Sequence, residues 1–252
     1  SLSTTYFTNS GAEAIEGAIK LAKRINKRSE IIYCKDSYHG STHGALSVMG
    51  NEEYKSNYRP LLPNCNQIIY NNLESLEKIS EKTSAVIVET IQGASGFIEA
   101  SQDFLNQLKK KCIEFNVLII FDEIQTCFGR TGKLFGFQHT EIVPDILCIA
   151  KGMGGGYPIG AFISSWENMN KLTHNPKLGH ITTFGGHPVG CTASHATLDY
   201  ILKNKIVDSI NEKEILFRKI LKHKKIKSIS GKGLMLSLDL HDNNETVRIV
   251  ES

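Results

Sequence analysis

The sequence lacks long hydrophobic runs. No apolar stretch exceeds five residues, and the longest are Val117–Phe121 and Ile146–Ala150. Because a transmembrane helix needs about 20 consecutive apolar residues, we expect a soluble protein with no membrane partner. The hydrophobic content of 40% and the charged content of 22% are those of a globular domain, which excludes a disordered or collagen-like chain.

A strong excess of either charge is also missing. The 29 Lys and Arg residues against 26 Asp and Glu residues give a net charge of +3, and both signs are mixed along most of the chain. This balance predicts no nucleic-acid partner. The most basic stretch, Arg218–Lys227, is interpreted as the solvated end of a helix.

A pairing pattern among the cysteines is missing as well. The six cysteines contain no C-x-x-C pair, and Cys34, Cys112 and Cys148 lie in apolar segments, where a thiol packs as a small hydrophobic group. We therefore expect reduced thiols and a cytoplasmic protein. No metal site is expected either: His39 and His43 are four residues apart, but the Glu of an H-E-x-x-H motif is absent.

Short β-branched runs alternate with amphipathic stretches, which is typical of an α/β fold with a mainly parallel sheet. The predicted strands are Ile31–Cys34, Gln67–Tyr70, Ala85–Val88, Val117–Phe121, Ile146–Ala150 and Gly160–Ser164, with strand-like segments at Thr4–Phe7 and Leu234–Leu240. The predicted helices are Gly11–Lys27, Asp103–Phe115, His187–Tyr200 and Val207–His223.

The chain changes character near residue 204. This predicts one domain over residues 1–204 and a second, partial domain over residues 205–252. The first residue, Ser1, is not followed by a targeting segment, and Glu245–Ser252 has the pattern of the interior of an element. We therefore expect the chain to be truncated at both ends.

The segment that opens the first predicted helix has two interpretations. Ser10 and Glu13 have the spacing of a capping box, in which the Ser10 side chain binds the Glu13 amide and Glu13 reaches back. The same turn carries free N–H groups at the positive end of a helix dipole, and Gly11 permits close approach, so it could also bind a phosphate. Both interpretations remain open at this point.

Charged residues follow two of the predicted strands. Asp122 comes directly after Val117–Phe121 and belongs at the carboxyl edge of the sheet, where open α/β folds bind ligands. Lys151 follows Ile146–Ala150 and precedes a glycine-rich turn, so desolvation could lower its pKa and make it a Schiff-base nucleophile. The alternatives are a helix N-cap or turn aspartate for Asp122 and a surface lysine for Lys151.

Known phosphate-binding and hydrolase motifs do not fit. Counted from Gly152, the sixth position of a dinucleotide-binding G-x-G-x-x-G motif is Tyr157. Gly132 and Lys133 are followed by Leu134 rather than by the Ser or Thr of a P-loop. A G-x-S-x-G motif is absent.

Taken together, the motifs of the chain resemble those of the class III pyridoxal-phosphate aminotransferases, which include ornithine, acetylornithine, putrescine and 4-aminobutyrate aminotransferases. The motifs are Ser10-Gly11-Ala12-Glu13-Ala14, Tyr38-His39-Gly40, Glu89-Thr90-Ile91-Gln92-Gly93, Asp122-Glu123-Ile124-Gln125-Thr126, Gly129-Arg130-Thr131-Gly132, Lys151-Gly152 and Thr182-Thr183-Phe184-Gly185-Gly186. The resemblance implies the large domain of fold-type I, with helices on both faces of the sheet, and the start of a small C-terminal α+β domain.

The resemblance also implies roles for these residues toward pyridoxal 5'-phosphate. Lys151 would carry the cofactor and move the proton, and Asp122 would bind the pyridine nitrogen. The implied cofactor contacts are Ser10, Gly11 and Ala12 with the phosphate, Tyr38 and Ile124 with the two ring faces, Gln125 with the ring hydroxyl, and Glu89. Thr182 and Thr183 would contact the phosphate of a neighbouring subunit, which implies a homodimer with shared sites.

Departures from the family pattern concern the substrate. Ser41 stands where ornithine and acetylornithine enzymes have an arginine, Ala94 replaces a common glutamate, and Thr90 replaces a proline. These departures weaken the expected clamp for the α-carboxylate of a substrate and favour a terminal-amine or ω-amino donor. The resemblance as a whole implies transfer of an amino group from an ornithine-like, diamine or ω-amino donor to a 2-oxo acid such as 2-oxoglutarate. The alternatives are an aminomutase of the glutamate-semialdehyde type and a truncated fragment without catalytic activity.

Overall fold

A computed structural model describes residues 1–242 of the chain. The strands are β1 (Thr4–Thr8), β2 (Glu30–Cys34), β3 (Cys65–Ile68), β4 (Thr83–Glu89), β5 (Ile91–Gln92), β6 (Ile98–Glu99), β7 (Leu118–Asp122), β8 (Ile146–Ile149), β9 (Gly160–Ser164), β10 (Ile226–Lys232) and β11 (Met235–Leu240). The α-helices are α1 (Gly11–Asn26), α2 (His43–Ser47), α3 (Gln102–Phe115), α4 (Trp166–Asn170), α5 (Pro188–Lys203) and α6 (Ile210–Ile220).

The main sheet has seven strands in the order β1-β9-β8-β7-β4-β2-β3. The pairs β2–β3, β2–β4, β4–β7 and β7–β8 are parallel, whereas β9 runs antiparallel to both of its neighbours. The predicted α/β class with a mainly parallel sheet is therefore confirmed. Since β1 and β8 both oppose β9, the carboxyl ends of β1, β2, β4, β7 and β8 all meet at one edge of the sheet.

Helices cover both faces of this sheet, as predicted. On one face, α3 buries Phe104, Leu105, Leu108 and Cys112 in one apolar cluster. On the other face, α1 buries Ala14, Ile15, Ala18, Ile19 and Ala22 in a second cluster. Strands covered on both faces carry continuous apolar runs, which explains the runs Ala85–Val88 in β4, Leu118–Phe121 in β7 and Ile146–Ile149 in β8.

The predicted strand Gln67–Tyr70 is wrong by two residues, because β3 spans Cys65–Ile68. Its parallel pairing with β2 begins at Ile31 opposite Cys65 and ends at Cys34 opposite Ile68. The apolar residues that follow Ile68 leave the sheet: Tyr70 instead donates its hydroxyl hydrogen to the Glu89 carbonyl oxygen, 2.8 Å away. The pairing partner, not the hydrophobic run, sets the strand boundary.

The region after residue 204 also differs from the prediction. The predicted helix Val207–His223 is a 3₁₀ turn, Ile206–Ser209, followed by α6, which ends at Ile220. The basic stretch is therefore not simply a helix end, since it continues into β10, a strand that the sequence did not indicate. Two backbone carbonyls of β10, those of Ile229 and Gly231, accept hydrogen bonds from Arg218 of α6.

The β10–β11 hairpin forms a separate two-stranded sheet. A domain boundary near residue 204 stays a prediction, and the predicted run Glu245–Ser252 lies outside the described residues. All six cysteines are free thiols. Within residues 1–242, none of the helices combines the length and hydrophobicity that a bilayer span requires.

Gly17 determines how closely α1 packs on β9. A Cβ atom at this position would lie 2.2 Å from Cε1 of Phe162, a fully buried ring that stacks on Tyr6. We predict that Gly17→Ala lowers the free energy of unfolding by about 1–3 kcal/mol, because overpacking outweighs the roughly 1 kcal/mol gain in helix propensity. Urea unfolding monitored by circular dichroism measures this change.

Phe162→Leu provides the matched background for this test, because the smaller side chain leaves room for the added methyl group. We expect Gly17→Ala to cost clearly less in Phe162→Leu than in the wild-type protein. The same cost in both backgrounds would show that the α1–β9 contact is not the cause.

Candidate active site

A cavity of about 680 Å³ lies at the carboxyl edge of the main sheet. Nine of the residues that the sequence singled out line this cavity: Ser10, Gly11, Ala12, Tyr38, Glu89, Asp122, Ile124, Gln125 and Lys151. They lie at the carboxyl ends of five strands, β1, β2, β4, β7 and β8, or in the connections that follow these strands. Because these five strands end at the same edge of the sheet, the fold gathers residues that are up to 141 positions apart in the sequence, from position 10 to position 151.

Lys151 and Asp122 follow neighbouring parallel strands. Asp122 is the last residue of β7 and pairs with Cys148 of β8, and Lys151 begins a short 3₁₀ turn just after β8. The backbone of Lys151 has a φ of 46°, a left-handed conformation that is unusual for a residue with a side chain. This turn directs the chain away from the sheet at the cavity wall.

The expected desolvation of Lys151 is not seen. The preceding residue, Ala150, is buried, but Lys151 itself is exposed and lines the open cavity. The strand interior excludes water only up to Ala150, because the left-handed turn carries the next residue out of the packed layer. Lys151 is thus an accessible amine beside a buried carboxylate.

Asp122 is held in a fixed orientation by two donors. The Ile124 amide donates to Oδ1 at 3.0 Å, and His39 Nδ1 lies 2.7 Å from Oδ2. Only 4% of Asp122 is exposed. A buried carboxylate is costly unless it is paired and hydrogen-bonded, and these contacts meet that requirement.

His39 is a residue whose importance the sequence did not reveal. It is 2% exposed, and its Nε2 is the one buried side-chain nitrogen or oxygen in residues 1–242 without a hydrogen-bond partner. Burial opposes protonation of the imidazole, but the hydrogen bond and the charge of Asp122, together with the charge of Glu89, raise its pKa. The available signal was its position in the Tyr-His-Gly turn after β2.

Glu89 adds a second buried carboxyl group next to Asp122. The two residues are paired directly across the β4–β7 ladder. Burial raises the pKa of Glu89 to about 7, with the charge of His39 opposing this rise and that of Asp122 adding to it. The Glu89 carboxyl group accepts hydrogen bonds from the amides of Gly93 at 3.2 Å and Tyr38 at 3.4 Å.

The first turn of α1 is both capped and open. The Ser10 hydroxyl oxygen accepts a hydrogen bond from the Glu13 amide at 3.2 Å, but Glu13 reaches back to the amide of Asn9 and not to that of Ser10, so the predicted capping box is shifted by one residue. The amides of Gly11 and Ala12 have no acceptor within residues 1–242, and both residues line the cavity. The two interpretations of this turn are therefore compatible.

A close backbone contact fixes the position of this turn. Gly160, the first residue of β9, lies so close to the first turn of α1 that a Cβ atom on Gly160 would be 2.5 Å from the Ser10 carbonyl oxygen. The approach is possible because glycine has no side chain. The sheet therefore sets where α1 begins.

Tyr38 and Ile124 are the apolar residues that the sequence assigned to the two faces of a ring. Both line the cavity, and the Tyr38 hydroxyl lies 3.2 Å from Oγ of Ser41. The same connection is tied to α1, since the Glu16 carboxylate accepts hydrogen bonds from the Thr42 hydroxyl and from the amides of Gly44 and Ala45.

Thr182 and Thr183 do not line this cavity. They contribute to a separate depression of about 330 Å³ together with Thr8, Glu13 and Glu16. The Thr182 hydroxyl oxygen accepts a hydrogen bond from Asn9 Nδ2 at 2.7 Å. Their assignment to a site in a neighbouring subunit stays a prediction.

Glu123, next to Asp122 in the sequence, anchors the loop that follows β7. It is fully buried and accepts hydrogen bonds from the Thr126 hydroxyl and from the amides of Gly136 and Phe137. Burial raises the pKa of this carboxyl group to about 7. Two adjacent acidic residues therefore differ in their surroundings: Asp122 faces the cavity, and Glu123 holds the loop that carries Ile124 and Gln125.

Comparison with known proteins extends these observations. A family model described as Aminotransferase class-III matches residues 2–252. An acetylornithine aminotransferase from Caldanaerobacter subterraneus is 42% identical over 256 residues, covering 96% of this chain and 64% of that protein. A LysW-aminoadipate semialdehyde/glutamate semialdehyde transaminase from Sulfolobus acidocaldarius is 42% identical over 237 residues, covering 92% of this chain and 60% of that protein.

Solved structures show the same similarity. The ornithine aminotransferase from Toxoplasma gondii superposes with a TM-score of 0.89 at 30% identity, covering 97% of this chain and 61% of that one. A thermostable (S)-enantioselective ω-transaminase from Thermomicrobium roseum gives a TM-score of 0.87 at 29% identity. The chain spans 60–64% of the length of the two curated relatives.

The raised pKa of Glu123 gives a test of its burial. A carboxyl group whose pKa rises from 4.5 to about 7 on folding stabilises the protein below pH 4.5, and this stabilisation is lost as the pH rises through 7. Because Gln cannot ionise, we predict that Glu123→Gln weakens the fall in the free energy of unfolding between pH 5 and pH 8. Urea unfolding at the two pH values measures this slope.

Glu141→Gln, at an exposed position beyond the same loop, is the control for the loss of a negative charge. We expect its pH dependence to match that of the wild-type protein. If Glu123→Gln keeps the full wild-type slope, the Glu123 carboxyl group does not titrate as its burial implies.

Proposed function

The chain belongs to the class III aminotransferase family, and from this premise we propose that the protein is a pyridoxal 5'-phosphate-dependent aminotransferase. It transfers an amino group from an ornithine-like, diamine or ω-amino donor to a 2-oxo acid such as 2-oxoglutarate. The observation that carries the proposal is the placement of Lys151 and Asp122 on neighbouring strand ends in one cavity, beside the open first turn of α1.

The residues of the cavity fit the cofactor. The amides of Gly11 and Ala12, with the Ser10 hydroxyl, supply donors for a phosphate at the positive end of the α1 dipole. Tyr38 and Ile124 offer apolar surface for the two faces of an aromatic ring. The lining also includes the carboxylate of Asp122 for a protonated ring nitrogen, the amide of Gln125 for the ring hydroxyl, and the carboxyl group of Glu89.

When bound, the cofactor supplies an electron sink for the electron pair left behind when a proton leaves the carbon that bears the amine. The protein's own groups then have separate tasks. The Lys151 amine would hold the cofactor and, once a donor amine has displaced it, its free Nζ would accept the proton from the donor carbon. The Asp122 carboxylate would accept a charge-assisted hydrogen bond from the protonated ring nitrogen of the cofactor. The Ile124 amide and His39 hold this carboxylate in one orientation.

His39 and Glu89 support Asp122 from the buried side. The raised pKa of His39 favours a positive charge next to the Asp122 carboxylate, which limits the cost of burying that carboxylate. Glu89 connects the cluster to the turn that carries Tyr38 through its hydrogen bond with the Tyr38 amide. The three side chains thus link the end of β4, the end of β7 and the turn after β2.

The named relatives support the donor class, since one is an acetylornithine aminotransferase and one solved neighbour is an ornithine aminotransferase. Thr182 and Thr183 are proposed to contact the cofactor phosphate of a second subunit, so that a homodimer shares its sites. This is supported by their position outside the cavity of their own chain. The free state of all six cysteines supports a cytoplasmic protein.

Replacement of Lys151 tests the proposal directly. We predict that Lys151→Ala lowers the transamination rate about 100- to 10,000-fold, because the amine that moves the proton is lost. Borohydride reduction followed by peptide mass spectrometry is expected to place the cofactor mass on the wild-type peptide containing Lys151. Lys171→Ala, at an exposed position, is the control and retains both properties. Full turnover by Lys151→Ala would refute the assignment.

The need for an amino acceptor separates the two enzymatic alternatives. We predict that repeated turnover of ornithine, N-acetylornithine, putrescine or 4-aminobutyrate requires 2-oxoglutarate, because the amino group must leave the enzyme on an acceptor. A donor panel with and without 2-oxoglutarate, read as glutamate formed, measures this requirement. Conversion of glutamate 1-semialdehyde without any added 2-oxo acid would instead identify an aminomutase.

A further inference from the structure

A second, smaller cavity adjoins Lys151 on the side of the β10–β11 hairpin. It has a volume of about 240 Å³ and shares Ile124, Gln125 and Lys151 with the larger cavity. The remaining walls combine apolar side chains with a single additional charged residue. The remaining lining residues are Phe97, Cys127, Gly152, Leu234 and Met235, with Arg130 as the charged residue.

The charges of the two cavities differ. The larger cavity contains the buried acids Glu89 and Asp122, and Lys151 is the only Lys or Arg among its described lining residues. The smaller cavity contains Lys151 and Arg130, and no Asp or Glu from the described part of the chain lines it. Its electrostatic environment therefore favours an anion.

Arg130 differs from the other described arginines in having no partner for its side chain. Arg59 and Arg218 pair with glutamates, and Arg24 and Arg28 donate to backbone carbonyls. Within residues 1–242, no carboxylate or carbonyl accepts a hydrogen bond from the Arg130 guanidinium.

The main chain of Arg130 is nevertheless fixed, because its carbonyl accepts a hydrogen bond from the Leu234 amide at 2.9 Å. The hairpin thus holds the residue in place and leaves its five N–H donors available.

We propose that Arg130 binds a carboxylate group of the substrate. This carboxylate group lies in the smaller cavity, while the reacting carbon of the same substrate faces Lys151. This inference rests on the proposed transaminase function and narrows its substrates to carboxylate-bearing compounds. The planar guanidinium matches a carboxylate with two parallel hydrogen bonds. Phe97, Leu234 and Met235 line the same cavity and offer apolar surface for the aliphatic part of the substrate. Arg130 is therefore the group that determines specificity.

Equilibrium binding tests the inference without turnover. Glutarate, an unreactive dicarboxylate, is titrated into the cofactor-loaded protein in a calorimeter. We expect Arg130→Gln to weaken glutarate binding about 10- to 100-fold, and Arg130→Lys to weaken it less because the charge is kept without the fork geometry. Arg59→Gln, which removes an exposed arginine paired with Glu52, is the matched control and keeps wild-type affinity. Unchanged glutarate affinity in Arg130→Gln overturns the inference.

Kinetics separate specificity from structural damage. The value of kcat/KM for 2-oxoglutarate is expected to fall about 10- to 100-fold in Arg130→Gln, mainly through KM, whereas that for the neutral acceptor butanal stays within about twofold of wild type. An equal loss for both acceptors overturns the inference, because it indicates a structural role. If the wild-type protein transaminates no donor at all, the proposed function is wrong. If the protein is an active transaminase but binds glutarate equally well with and without Arg130, only the inference about Arg130 is wrong.

Discussion

The parallel pairing of β4, β7 and β8 determines the position of the central charged groups of the site. In a parallel sheet all carboxyl ends lie on one side, so a residue placed at the end of a strand becomes a neighbour of the residue at the end of the next strand. Glu89 and Asp122 are paired directly across the ladder, and Lys151 follows the adjacent strand. The apolar interior of these strands, buried between α1 and α3, keeps this edge rigid.

This alignment of strand ends buries charged groups close together. Hydrogen bonds to these groups limit the free-energy cost of removing them from water. Asp122 is satisfied by a backbone amide and by His39, whose protonation is favoured by the two acids next to it. Glu89 and Glu123 each accept backbone amide hydrogen bonds, although burial still raises both pKa values to about 7. Lys151 avoids the same penalty because its left-handed backbone places it in the open cavity.

Much of the fold could be predicted from the sequence, because buried parallel strands leave an unmistakable pattern of apolar runs. Gly160–Ser164 is found as predicted, and the strands that end near Asp122 and Lys151 are correct to within one residue. The position of β3 could not be predicted, since its boundary depends on pairing with β2. Nor could β10, which has only two isoleucines and is stabilised by β11 and by Arg218 of α6. The composition of a segment alone does not reveal which other segments it pairs with.

The candidate site shows the same division. Strand ends and a helix start can be located from periodicity, and this was enough to single out Asp122, Lys151 and the turn at Ser10. The contact between His39 and Asp122 joins residues 83 positions apart, and no spacing rule announces it. The unpartnered guanidinium of Arg130 likewise becomes visible only when every neighbour has been placed.

The contact between Gly160 and the Ser10 carbonyl has a consequence for how this sequence can diverge. Because the obstructing atom belongs to the main chain, no exchange of side chain at position 10 could make room for a larger residue at position 160. The two positions therefore cannot compensate for each other by paired substitution. Any descendant that keeps the helix starting at this point must inherit the glycine, 150 residues further along the chain.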